Sequence, residues 1–150
     1  MATLLEQITT DIAEAMRRKD QASLTPLRML KTALVNREIE KSRVLDEAEG
    51  LLVVNQLVKQ RRDSVEQFRA AGRAELADRE QAEIIFLERY LPPAADAATI
   101  AQAIEAAVIE TGATGPKEMG KVMKSVMARL AGQTVDGRAL SELIKKRLGA

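Results

Sequence analysis

The residues best suited to chemistry in this chain are cations. Lys117, Lys121 and Lys124 recur at i, i+4 and i+7 within GPKEMGKVMKSVMARL, Gly115 to Leu130. On a helix that spacing puts the three ammonium groups on one face. Gly120 lies close to that face and has no side chain to hold off a backbone or a phosphate. Pro116 suits a first helical position, and the free N–H groups and positive dipole end of a helix starting there suit an anion. Arg138 follows the tight turn Asp136-Gly137 at the start of a last helix, VDGRALSELIKKRL. Lys145, Lys146 and Arg147 close that helix, where cations also suit its negative end. Such a set binds phosphate; it does not break a bond. The candidate nucleic-acid-binding residues are therefore Lys117, Gly120, Lys121, Lys124 and Arg138, and no catalytic residue is assigned.

The rest of the inventory narrows the chemistry further. The chain has no histidine and no cysteine. That removes the usual zinc ligands, thiolate chemistry and serine–histidine or cysteine–histidine catalysis. Lys124 and Ser125 are adjacent, so on a helix they do not face one another as a catalytic pair would. Gly112, Gly115 and Gly120 match neither phosphate-cradling glycine pattern. Glu38 and Glu40 read as solvated surface. No metal and no cofactor is expected.

The elements that must position these residues are all helical. Hydrophobic residues make up 46% of the 150 positions and charged residues 30%, a globular composition. Aromatic residues make up only 2%, so the core must be aliphatic, as in helix-on-helix packing. Leu4, Leu5, Ile8, Ile12, Ala15 and Met16 mark a first helix. Thr25-Pro26 reads as the start of a second, carried by Leu27, Leu30, Leu34 and Ile39. Asp46 suits the cap of a third, whose stripe runs through Leu51, Val54, Val58, Val65 and Phe68; Arg61 interrupts that stripe and is expected to snorkel to water. Gly72 stops it. A fourth covers roughly Glu75 to Tyr90, and Leu91-Pro92-Pro93 ends it. Asp96, Pro116 and Asp136-Gly137 introduce three shorter helices. The expected fold is all-α: a long N-terminal helical bundle over 1–91, then a small three-helix domain over 94–150.

Charge and location complete the reading. The segment from Lys117 to Arg147 carries eight basic and three acidic residues. The segment from Glu75 to Glu110 carries eight acidic and two basic ones. A basic end after an acidic middle suggests an anionic partner for the C-terminal part. No apolar run approaches the ~20 residues of a membrane span. The acidic, amphipathic start MATLLEQITTDIAEA is unlike a targeting peptide. A cytoplasmic location and no membrane partner are expected.

LRMLKTALVNREIE, LVKQRRDSVEQF, EIIFLERYLPP, GATGPKEMGKVMKSVM and DGRALSELIKKRL stand in this order along the chain. In order and spacing they closely resemble the GatB/YqeY family; the chain departs from its pattern at Gln133 and Val135. The resemblance implies an N-terminal helical bundle and a C-terminal part similar to the tail domain of the B subunit of the glutamine-dependent aspartyl/glutamyl-tRNA amidotransferase, which engages the body of the tRNA. It also implies a family-level activity, carbon–nitrogen ligase with glutamine as amido-nitrogen donor. Glutamine hydrolysis needs an activated nucleophile and transamidation needs an ATP-activated carboxylate, and neither apparatus is visible in this chain.

Three functions follow as expectations. The leading one is a tRNA-binding accessory protein related to the amidotransferase and not catalytic alone. Its basic helices would read folded RNA by shape, and the scarcity of aromatic platforms for base stacking agrees. The second is an interaction module whose long helices dock a protein partner. The third is an amidotransferase component active only in complex.

Overall fold

A computed structural model describes residues 2–149. Among them the chain forms seven α-helices, two 3-10 turns and no strand beyond one isolated bridge. It divides into two compact units, Met1–Leu91 and Pro92–Ala150.

The first unit holds α1 (Leu4–Arg17), α2 (Gln21–Lys41), α3 (Glu47–Ala70), α4 (Ala74–Leu87) and a 3-10 turn at Glu88–Tyr90. The helix ends follow local hydrogen-bond chemistry. Thr3 and Glu6 form a reciprocal capping box on α1. Asp46 and Glu49 do the same for α3: the Glu49 N–H donates to Asp46 Oδ1 at 2.8 Å, and the Asp46 N–H donates to Glu49 Oε1 at 3.2 Å. Gly72, at φ 72°, takes the left-handed position that ends α3.

Helix α2 starts earlier than the sequence suggests. Lys19 turns left-handed at φ 56°. Asp20 then caps the helix, accepting from the Ser23 N–H at 3.2 Å and the Ser23 hydroxyl at 2.7 Å. Those two bonds hold the Asp20 carboxyl below its usual range. Pro26 is therefore inside the helix rather than at its first position, and it cannot donate to the Ala22 carbonyl.

The core of this unit is aliphatic. Ile8, Leu27, Leu30, Leu34, Val54, Val58, Ile84 and Leu87 are its largest fully buried side chains. Each such burial contributes about 1.5–3 kcal/mol. Ile39, expected on the core stripe, is 69% exposed, and Leu34 is the last buried residue of α2.

Arg61 also departs from expectation. It does not snorkel; its side chain is only 7% exposed. Its Nε donates to Glu83 Oε2 of α4 at 2.8 Å, with Glu80 Oε2 at 4.0 Å, and its Nη2 meets Met29 Sδ of α2 at 3.1 Å. A guanidinium can be kept from water only where carboxylates offset its lost hydration, and here α4 supplies them.

The second unit holds α5 (Ala97–Thr111), a 3-10 turn at Pro116–Glu118, α6 (Met119–Arg129) and α7 (Gly137–Arg147). Asp96 caps α5 through the Thr99 N–H at 2.7 Å, and Gly112 ends it at φ 67°. Ala107, Val122, Val126, Leu140 and Ile144 are buried together. The loop before α7 is tied to the start of the unit. The Thr134 N–H donates to the Pro93 carbonyl and the Ala95 N–H to the Thr134 carbonyl, each at 3.0 Å. The Thr134 hydroxyl donates to the Pro92 carbonyl at 2.5 Å. A prolyl residue lacks an N–H but keeps its carbonyl, so this pairing uses what Pro92 and Pro93 still offer.

Candidate nucleic-acid interface

Helix α6 buries Val122 and Val126. Lys121 and Lys124 stand away from that side and are exposed, as is Lys117 in the preceding 3-10 turn. Among the described residues none of the three lies within ion-pair distance of a carboxylate. Gly120 is exposed too, and a Cβ placed there would meet nothing within 4 Å. Gly120, Lys121 and Lys124 are exposed on α6, and Lys117 is exposed in the turn that precedes it, outside the helix on which the spacing argument placed it. Arg138, also exposed, lies on α7 and engages a neighbouring group.

The start of this segment is not the anion grip the sequence suggests. Pro116 opens a 3-10 turn, and the α-helix begins only at Met119. Glu118 lies in that turn, and its carboxylate accepts from the Thr114 N–H at 3.0 Å. A fixed negative charge beside the first N–H groups discourages a second anion there.

The basic character of the C-terminal segment is also trimmed from within. Arg129 Nη2 meets Glu110 Oε2 of α5 at 2.6 Å, and the Ser125 hydroxyl donates to the same oxygen at 3.0 Å. Arg147 of α7 donates from Nε and Nη2 to the two carboxylate oxygens of Glu105, also on α5. The hydrogen bonds from Arg129 and Ser125 hold the Glu110 carboxyl below its usual range, and that from Arg147 does so for Glu105. Sequence reasoning missed these links because the partners lie 19 and 42 residues apart.

The other cationic segments are divided by the fold. Arg37 donates to Gln56 Oε1 at 2.9 Å and lies 3.8 Å from Glu40, whereas Arg61 is inside. Two clusters were not foreseen. Glu49 accepts from Arg43 at 2.7 Å and from Lys41, and these cations, Arg43 first, press its carboxyl far below the ordinary range. Tyr90 donates its hydroxyl to Asp11 Oδ2 at 2.6 Å; burial first, and that bond next, push its phenol well above its usual value. Among the described residues no group of three or more potential ligands could hold a metal.

A family model described as Yqey-like protein matches residues 5–148. The chain belongs to the Yqey-like protein family. Three relatives of this family member carry one name, "Altered inheritance of mitochondria protein 41, mitochondrial". That of Pyrenophora tritici-repentis is 26% identical over 149 residues, covering 98% of this chain and 82% of the relative. That of Lachancea thermotolerans is 31% identical over 139 residues, covering 90% and 73%. That of Eremothecium gossypii is 31% identical over 126 residues, covering 81% and 69%. The relatives' name overturns the expected cytoplasmic location. That expectation rested on the lack of cysteine, on the lack of a long apolar run and on a start unlike a targeting peptide; the first two do not separate one aqueous, reducing compartment from another, and the third does not outweigh the relatives' name. No helix among the described residues is long and apolar enough to cross a membrane.

Proposed function

We propose that this Yqey-like protein is a tRNA-binding accessory factor related to the glutamine-dependent tRNA amidotransferase, and that it does not catalyse amidation alone. The observation that carries the reading is the outward face of Lys117, Lys121 and Lys124, free of carboxylates among the described residues, with Gly120 open between them. Ammonium groups on a helix and the turn before it neutralise phosphates without reading bases, which suits a folded RNA recognised by shape. The likeness of residues 94–150 to the amidotransferase tail domain is part of the same proposal, and Arg138 extends the face onto α7. The relatives' name supports a mitochondrial setting. Any amide-forming step would belong to a partner.

The test is tRNA binding by the full chain across a range of salt. Lys121→Glu/Lys124→Glu is expected to weaken binding about tenfold or more and to flatten the slope of log affinity against log salt by roughly one unit per lost contact. Binding that is unchanged in the double variant sinks the proposal.

A further inference from the structure

We propose that a groove between α2 and α4, inside the first unit, docks a short partner segment that is apolar on one side and acidic on the other. The groove has a volume of about 550 Å³, within the range of small-ligand clefts. Its floor and walls are apolar: Pro26 of α2, and Ala82, Ile85 and Phe86 of α4. Ile85 is 60% exposed, so a large branched side chain stands in water there with no neighbour to cover it.

Charge selects the occupant. Arg79 and Arg89 line the groove, both exposed; among the described residues neither lies within ion-pair distance of a carboxylate, and Arg89 acts on the Asp20 carboxyl only from beyond that distance. The groove's one carboxylate is Glu83, and Arg61 already engages it at 2.8 Å. The balance presented to a ligand is therefore positive beside an apolar floor. Carboxylates flanking an apolar stripe answer that pattern, whereas a basic segment would be repelled.

The same details disfavour a nucleic acid here. A base stacks on an aromatic face, and the one aromatic ring lining the groove, Phe86, already has one face taken by the Arg89 guanidinium, 4.8 Å from its centroid. This inference is independent of the lysine face on α6, since every residue it uses lies between 20 and 89.

The test uses the full chain and three fluorescein-labelled synthetic helices of equal length: one with leucines along one side and glutamates elsewhere, one with lysines replacing the glutamates, and one with serines replacing the leucines. The Leu/Glu peptide is expected to bind, and the other two at least tenfold more weakly. Arg79→Glu/Arg89→Glu should invert the preference between the acidic and basic peptides. Ile85→Asp, a change at an exposed position, should abolish binding while leaving helicity by circular dichroism intact. Equal affinity for the acidic and basic peptides, no binding of any, or displacement of the bound peptide by single-stranded RNA would each overturn the assignment.

Discussion

Tyr90 is the chain's one tyrosine, so the ultraviolet absorbance of phenolate reports a single hydroxyl. Burial and the bond to Asp11 favour its neutral form, which raises the folded value above the unfolded one of about 10. A raised value means the folded chain holds this proton more tightly than the unfolded chain does. The stabilisation is complete below pH about 10 and is lost as pH climbs toward the folded value. Absorbance titration should give a midpoint well above 10 in the native chain, and Asp11→Asn should bring it down. A native midpoint equal to that in urea would contradict the burial and the bond together. Sequence alone showed Tyr90 only as a residue before Leu91-Pro92-Pro93. Its partner is 79 positions away, and no local pattern points to it.

At the scale of the helices, Arg61 is the informative case. It joins α3 to Glu83 of α4 and touches Met29 of α2. Removing Glu83 takes the hydrogen-bonded carboxylate from a guanidinium only 7% open to water and leaves it Glu80, 4.0 Å away. Glu83→Ala should cost about 3 kcal/mol, whereas Arg61→Met, which fills similar space without charge, should cost clearly less. Urea unfolding midpoints of the two variants decide the matter; equal losses would mean that the charge pair is not what matters there. The helix boundaries that were legible were those written in adjacent residues: Asp46 and Asp96 as caps, Gly72 as a stop. Those that misled required knowledge of a competing neighbour. Asp20 takes the cap of α2 from Thr25, and Glu118 sits in the turn where an anion was expected. Arg61 looked like a snorkelling side chain because its carboxylates lie on the next helix.

Over the whole molecule, carboxylates held below their usual range occur in both units: Asp20 and Glu49 in the first, Asp96, Glu105 and Glu110 in the second. Each binds its proton less readily folded than unfolded. Their contributions are therefore present above the unfolded values near 4 and fade as pH falls through the folded ones. Melting temperature is expected to stay level between about pH 5.5 and 9 and to decline below about 4.5. A melting temperature unchanged down to pH 3 would mean that these bonds do not form in solution. The all-helical class was legible because aliphatic spacing fixes it. The lysine spacing was legible as a pattern, but the turn that takes Lys117 out of α6 was not, nor was the lysines' freedom from carboxylates, since Glu105 and Glu110 chose arginines across a distance that sequence spacing cannot measure.

That choice divides the labour between two kinds of cation. In the second unit Arg129 and Arg147 clasp carboxylates of α5, while all five lysines reach water. Reagents that acylate primary amines discriminate between these groups, because guanidinium does not react as an amine does. Acetyl transfer to Lys117, Lys121 and Lys124 would erase their charge and leave both arginine clasps untouched. Acylating these lysines is therefore expected to lower the unit's outward potential and to leave its melting temperature unchanged.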